Sequence, residues 1–555
     1  AYQNTGKTAA ATQLVRQAWR QMDFDSGTDS AFLERHGKQL RASDHKWRLD
    51  RLLTTDFRWK GSRRKHATIV RRQMKRVPAI ERRIAKARLA VFLRQKGALK
   101  KIQALPSSTN DDWSLAYHRV QQLRRSKKTD AAARLLLRAP TGTDQIVNPD
   151  AWWEERRVNA YVALRKGNPK RAYNIVRDAG DLTVNPRKEQ AFIAGWLALR
   201  FLGEPKIALS HFQRMRDAAD GPLSRSKSAY WVARAHKALG NSDTARSFYQ
   251  QSAQVRDTFH GQLSRQLLNG GAPLTVTFDT PATPTAEQVA GFLTEDAVQA
   301  VVLADQTGLG RNVVRPFLAN LANRMRSEAE VALVAHLARA IRDTQQSLRI
   351  GKRAISRGMN LVTYAYPLHA FPDYRPLRAP PETAFLLGIA RQESEFNTQI
   401  VSGAGARGIL QVMKITARHV CRDYRIKCQY GRLLTDEAYN TKIASAYIGD
   451  RMAEFNGSYI LGLAGYNAGP GRARQWIRQY GDPRSANMDP MDWIERIPFS
   501  ETRAYVQKVL SNIQVYRARL GEKNSLRLIQ DMQRAKPRAG RAAAQLFAPG
   551  GTVAR

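Results

Sequence analysis

The residues best placed to do chemistry lie late in the chain. Residues Thr383–Ser394 (TAFLLGIARQES) follow Pro381 and predict a helix, in which Phe385, Ile389 and Glu393 recur every four positions along one face. Leu386 and Ala390 widen that stripe, so Glu393 ends a row of side chains that should face a core. A carboxylate buried without a cation is costly, and such a group holds its proton above the ordinary carboxylate range of about 4.3. That is the state a general acid needs at neutral pH. The competing reading is an ordinary ion pair with Arg391 or Arg407.

Three further segments carry groups suited to a ligand. Ser402-Gly-Ala-Gly-Ala-Arg-Gly408-Ile-Leu-Gln411-Val-Met413 is a dense run of small residues leading into a helix. Its glycines permit close backbone approach, Ser402 and Gln411 offer hydrogen bonds, and Met413 offers an apolar platform. Ala464-Gly-Tyr466-Asn467-Ala-Gly469-Pro470-Gly471 ends one helix and starts another, and Ile497-Pro-Phe-Ser-Glu501-Thr-Arg503-Ala-Tyr505-Val follows. Glu395 sits two residues beyond Glu393, about 200° round a continuing helix, and is expected to face solvent. The 10 His are scattered, without a His-x-x-x-His pair or an acidic calcium loop in this segment, so neither a metal nor another cofactor is expected. The two cysteines, Cys421 and Cys428, stand seven apart. They read as a local disulfide clipping a loop, or else as two separate thiols.

Taken in order, Ala390-Arg-Gln-Glu393-Ser, Ser402 to Met413 with Thr416-Ala417, Tyr466-Asn-Ala-Gly-Pro-Gly and Ile497 to Tyr505 resemble the catalytic domain of the soluble lytic transglycosylases, relatives of goose-type lysozyme. The likeness covers residues 380 to about 520. It implies non-hydrolytic cleavage of the β-1,4 bond between N-acetylmuramic acid and N-acetylglucosamine, giving 1,6-anhydromuramoyl products. It also implies that Glu393 is the single acid/base, the substrate's own 2-acetamido group replacing a second carboxylate. Glu501 then looks like a second acid lining the cleft, and Tyr466 would orient the acetamido or muramoyl group. Ser402, Gly408, Gln411 and Met413 would line the sugar sites, with Asn467 capping the next helix. Two departures stand out: Lys414 replaces the family's usual proline after the methionine, and Ile409-Leu410-Gln411 replaces Leu-Met-Gln. A lysozyme-type hydrolase on the same fold is the nearer alternative. A basic helical scaffold binding nucleic acid or protein is the more distant one.

The elements that must position these groups read as almost wholly helical, an all-α chain. Residues 1–270 run helix after helix, and Gly167, Gly203 and Gly240 each close a helix-like run bearing an aromatic and are followed five residues later by Ala172, Ala208 and Ala245. The same offset recurs less cleanly from Ser126 to Ala131. This is similar to tetratricopeptide-type helical pairs, which stack into a superhelix. The resemblance to the transglycosylases agrees, since there a ring of helices carries the lysozyme-like domain. Four regions are expected: a superhelical domain at 1–270, a helical linker domain at 271–375 opened by a Gly/Pro/Thr-rich stretch, the catalytic domain at 376–523, and a weakly structured basic tail at 524–555 with a short helix near Leu526–Met532.

Composition narrows the partners. With 91 Lys+Arg against 47 Asp+Glu in 555 residues, the formal charge is +44. Residues 1–100 hold 25 against 8, including Arg63-Arg-Lys65 and Arg71-Arg72, while residues 381–520 hold 19 against 13. Such a charge calls for an extended acidic partner: nucleic acid, an anionic membrane surface or a carboxylate-bearing polysaccharide. No nucleic-acid motif is present, and the resemblance favours peptidoglycan glycan strands, with other cell-wall enzymes as further partners of a monomer. No apolar run reaches the roughly 20 residues of a membrane span. The chain opens on Ala1, as a processed form would, and the expected location is the periplasm, where a disulfide persists.

Overall fold

Each repeat glycine falls where a helix must turn back on itself. In the computed structural model, which describes residues 8–55, 57, 59–142 and 144–535, Gly167, Gly203 and Gly240 all adopt the left-handed conformation (φ 75°, 69° and 83°). An L side chain resists that region and glycine does not. The alanine five residues on is buried in every case, which lets the returning helix pack closely. The fourth repeat is displaced by one residue from its expected position. Lys127, not Ser126, takes the left-handed turn (φ 60°), and Ala132 rather than Ala131 is fully buried. A non-glycine residue at the turn hid the register.

The chain divides into two units between Ala218 and Ala219. The first is a succession of helical pairs, for example Pro149–Arg165 with Pro169–Val176 and Val184–Leu197 with Pro205–Asp217. In both pairs proline opens the second helix, where its missing N–H costs nothing.

The second unit continues with helices Pro222–Ala238, Ser242–Ala253 and Phe259–Leu268. Residues 286–361 then form a core of their own around Phe292, Val301, Leu318, Leu321, Val334 and Ile350. Six helices frame the candidate site: α1 (Thr383–Glu393), α2 (Lys414–Asp423), α3 (Glu437–Glu454), α4 (Tyr459–Ala468), α5 (Pro470–Tyr480) and α6 (Ser500–Arg519). Among the described residues there is no strand, only isolated bridges such as Val401–Arg407, Arg407–Val412 and Leu274–Leu526.

That last bridge corrects the expectation of a weakly structured start to the tail, while the short helix expected near Leu526–Met532 is present. Leu274 and Leu526 exchange both backbone hydrogen bonds (3.1 and 3.0 Å), and Ile529 N donates to Gln266 Oε1 (3.0 Å). A helix, α7 (Leu528–Gln533), buries Leu528, Ile529 and Met532, so the segment is tightly packed through that point. The apolar residues among the charges were the reason, and the basic composition obscured them. Residues 536–555 of the expected tail lie outside the described residues. No helix among the described residues is long and apolar enough to cross a membrane.

Candidate active site

Helix α1 is buried from Ala384 to Ala390, with Phe385, Leu386, Ile389 and Ala390 all in the core as their spacing predicts, and its last turn, Glu393 included, is half-buried. It lies against α6, where Asn512 Nδ2 donates to Gly388 O (3.1 Å). The helix stops at Glu393. Ser394 is its cap, and Ser394 Oγ donates to Ile409 O (2.7 Å), joining the end of α1 to the small-residue loop.

Neither arginine of the ion-pair alternative reaches Glu393. Arg391 stacks on Tyr366, 3.7 Å from the ring centroid, and donates to Ala365 O (2.8 Å) and Asn512 Oδ1 (2.9 Å). Arg407 donates to Tyr430 O (3.3 Å). Burial without a counter-charge pushes the Glu393 carboxyl up to about 7, and the nearby negative charge of Glu501 adds to the rise. The Tyr505 hydroxyl faces the same carboxyl and partly offsets this, although it closes no hydrogen bond. A carboxylic acid poised near neutral pH can give a proton and take one back.

Two tyrosines and a second acid complete this cluster. Tyr466, near the end of α4, donates through Oη to Leu410 O (2.6 Å), and its own ionisation is suppressed first by burial and then by the Glu393 charge. Tyr505 on α6 is affected in the same order. Glu501 occupies the first turn of α6, exposed, one helical turn before Tyr505. Sequence reading stopped at Glu501 and missed Tyr505. The i, i+4 spacing of the two was the available signal, because it puts both on one face of the helix.

The expected sugar-site residues split into two groups. Ser402 Oγ accepts from Ala406 N (3.0 Å), and Gln411 Nε2 donates to Ile400 O (3.2 Å) and Gly408 O (2.9 Å), so both side chains hold the loop's shape. Gly408 is left-handed (φ 72°), and a Cβ there would overlap Leu433 O and the Asn440 amide. The close approach its small size allows is to the protein itself. Met413 caps α2 without a side-chain bond and lines a cavity of about 490 Å³. Lys414 takes the first helical position, where proline also fits, so this departure leaves the start of α2 intact.

Two minor expectations change. Asn467 does not cap α5, whose cap is the left-handed Gly469; its Oδ1 accepts from Thr502 Oγ1 (2.6 Å), tying α4 to α6. Glu395 does point away from the site, but into an ion pair rather than water. Arg349 Nε and Lys352 Nζ each approach it at 2.6 Å, and although burial raises its pKa the two cations outweigh that and hold it below the usual carboxylate range. Glu395, Phe396 and Gln411 are all left-handed (φ 52°, 63° and 50°), a conformation that costs non-glycine residues energy. The strain sits immediately around the candidate acid.

Cys421 and Cys428 form a disulfide, Cα atoms 5.5 Å apart, between α2 and the loop after it. An eight-residue closure contributes roughly 2.5 kcal/mol in the loop-entropy account. Among the described residues no group of three or more His, Cys, Asp and Glu converges as a metal site would.

Comparison with known proteins places this geometry. Residues 378–488 match the family described as Transglycosylase SLT domain, and residues 496–524 match Soluble lytic transglycosylase helical domain. The soluble lytic murein transglycosylase of Salmonella typhimurium is 37% identical over 153 residues, covering 27% of this chain and 23% of its own. That of Escherichia coli K12 is 36% identical over 158 residues, 28% and 24% of the two chains. The matched part is therefore about a quarter of each relative's length. The fold likeness extends much further. A crystal structure of an inactive variant of the Pseudomonas aeruginosa lytic transglycosylase Slt superimposes with a TM-score of 0.68 at 21% identity, over 95% of this chain and 81% of that one. The 70 kDa soluble lytic transglycosylase of E. coli gives 0.65 at 22% identity, over 96% and 82%. The all-α superhelical architecture is shared along nearly the whole chain.

Proposed function

We propose that this chain, which carries a transglycosylase SLT domain at residues 378–488, is a peptidoglycan lytic transglycosylase in which Glu393 serves as both acid and base. The observation that carries the reading is the Glu393 carboxyl itself, buried at the end of α1 with no cation beside it and pushed up to about 7. As an acid it protonates the glycosidic oxygen between N-acetylmuramic acid and N-acetylglucosamine, and the C1–O bond breaks. The substrate's 2-acetamido group steadies the positive charge at C1. The Glu393 carboxylate then takes the proton from the C6 hydroxyl as O6 closes on C1, which restores the acid and leaves a 1,6-anhydro ring. No water enters the products.

Tyr466 fits the role of orienting the muramoyl residue, because its hydroxyl is fixed by Leu410 O yet keeps its acceptor lone pairs. Glu501 fits a supporting role: its negative charge favours the protonated form of Glu393. A lysozyme-type hydrolysis would draw on the same acid, and the products separate the two reactions. Purified sacculi digested with the protein should release muropeptides ending in anhydromuramic acid, seen by mass spectrometry. Reducing ends 18 Da heavier, about the mass of one water, would assign the protein to the hydrolases instead.

The charge is consistent with retention on a polyanionic wall in the periplasm. Residues 1–218 carry 46 Lys+Arg against 20 Asp+Glu, a net +26 of the chain's +44. Not all of it is presented to solvent, for Arg63 is buried and donates to Phe57 O (2.7 Å). Arg64, Lys65, Arg71 and Lys75 are exposed at or beside helix Lys60–Met74. Changing these four to glutamine should release the protein from sacculi at lower salt than the unmodified chain. Retention unchanged across a salt titration would show that this surface serves another purpose.

A further inference from the structure

Within the second unit, where the helices of residues 286–361 meet the segment that follows Glu393, lies a cavity of about 220 Å³. It is separate from the candidate cleft, for none of Glu393, Tyr466, Glu501 and Tyr505 lines it. Two guanidiniums stand at it. Arg311 donates to Arg342 O (3.2 Å), and the exposed Arg342 side chain has no carboxylate partner among the described residues. One acid lines the same space, Glu437 in the first turn of α3, and no cation pairs with it among the described residues. Partial burial, and then the neighbouring charge of Asp436, push the Glu437 carboxyl above the ordinary carboxylate range. His369 also lines the cavity, but burial and then the charges of Arg339 and Arg519 lower its pKa, so it stands neutral at pH 7. The rest of the lining includes the polar groups of Thr344, Asn397 and Thr398 and the rings of Phe371 and Phe396. Arg342 and Phe396 are both left-handed (φ 59° and 63°), a costly conformation for non-glycine residues that persists where the surroundings enforce it.

Charge decides what such a place can hold. A bare anion satisfies the arginines but is repelled by Glu437, and a bare amine satisfies Glu437 but is repelled by the arginines. A neutral sugar leaves all three charges unpaired. A small molecule with a carboxylate and an ammonium on one carbon answers both signs, and an apolar side chain on that carbon suits the two phenylalanine rings. We infer that this cavity binds a free α-amino acid as its zwitterion, the carboxylate held by Arg311 and Arg342 and the ammonium by Glu437. Gln345, which also lines the cavity, accepts from Asn397 Nδ2 (3.1 Å) through Oε1 and donates through Nε2 to Ser394 O (3.2 Å). A ligand that joins Arg342 to this side of the cavity therefore braces the backbone that leaves Glu393.

The test is a calorimetric titration of the full chain with glycine, D-alanine, L-leucine and L-phenylalanine, which span a range of side-chain sizes, and then with the N-acetyl derivative and the amide of the tightest binder. Acetylation removes the positive charge and amidation the negative one, and each should weaken binding about tenfold or more, as charge-assisted hydrogen bonds require. Arg342→Gln should erase the penalty for amidation and keep that for acetylation, and Glu437→Gln should do the reverse. Both side chains are exposed, so thermal unfolding of the free protein should be unchanged in either variant. Failure of all four amino acids to bind, a blocked derivative that binds as well as its parent, penalties that survive in both variants, or tighter binding of inorganic phosphate than of any amino acid would each overturn the assignment. Release of muropeptides plays no part in this readout, so the site stands or falls apart from the enzymatic reading.

Discussion

Glu393→Gln should reduce the release of anhydromuropeptides from purified sacculi by about 10³-fold or more, in line with the loss of a group acting as both acid and base. Glutamine keeps the shape of the side chain, so α1 and the Ser394–Ile409 contact should survive, and substrate binding with them. A variant retaining wild-type release would remove Glu393 from the mechanism. The wild-type rate should also fall as pH rises through about 7, because the step that protonates the leaving oxygen needs the acid form and the carboxyl is pushed up to about 7. Stability moves in the same direction. The folded pKa lies above the unfolded value of about 4.3, so the native state binds the extra proton, and its contribution is complete below about 4.3 and lost as pH passes through about 7. The glutamine variant should therefore match the wild type at pH 4 and exceed it at pH 8, by on the order of 3 kcal/mol for a shift of this size. Identical urea midpoints at both pH values would show that the carboxyl is not held in an unfavourable environment.

The second large effect is structural. The Arg517 side chain, fully buried on α6, meets Glu382 at 2.6 Å on one side and Asp531 at 2.5 Å on the other. Arg517→Met would leave the buried Asp531 without its cation and Glu382 with the longer contact to Arg527 (3.4 Å) and the Tyr459 hydroxyl (2.7 Å). Breaking a buried pair costs about 3–5 kcal/mol, because the remaining charge stays desolvated. We expect earlier urea unfolding together with proteolytic release of the segment from Leu526 onward, which Asp531 helps to hold. Adding Asp531→Leu should recover part of the loss, since it removes the stranded carboxylate. A single variant as stable as the wild type would mean that solvent reaches this network.

Both effects turn on how charges are buried, and that is where the sequence was legible in one place and opaque in another. The place of Glu393 at the end of a buried stripe could be read because helical periodicity carried apolar residues to it, and nothing else in that stretch is polar on that face. The Gly167, Gly203 and Gly240 repeat was readable for a similar reason: the turn demands one residue type. The fourth turn was missed by one position because Lys127 adopts the same conformation without being glycine. Ser402 and Gln411 are polar for the loop's sake, and a one-dimensional pattern does not distinguish a hydrogen bond to backbone from one to ligand. Arg517, Glu382 and Asp531 lie up to 149 residues apart, and only the folded chain brings them into one network.

The ion pair of Glu395 reaches beyond the matched domain. Arg349 and Lys352, with Gln345 donating to Ser394 O (3.2 Å), all belong to helix Thr344–Ser356. These contacts grip the two residues that follow Glu393, where the backbone turns left-handed. The candidate acid is thus tied to a helix some 40 residues upstream, and a shortened chain that keeps these contacts must reach back at least to residue 344, beyond the edge of the matched domain. In this protein the helix Thr344–Ser356, ahead of the matched domain, helps to set the angle of the candidate acid, Glu393.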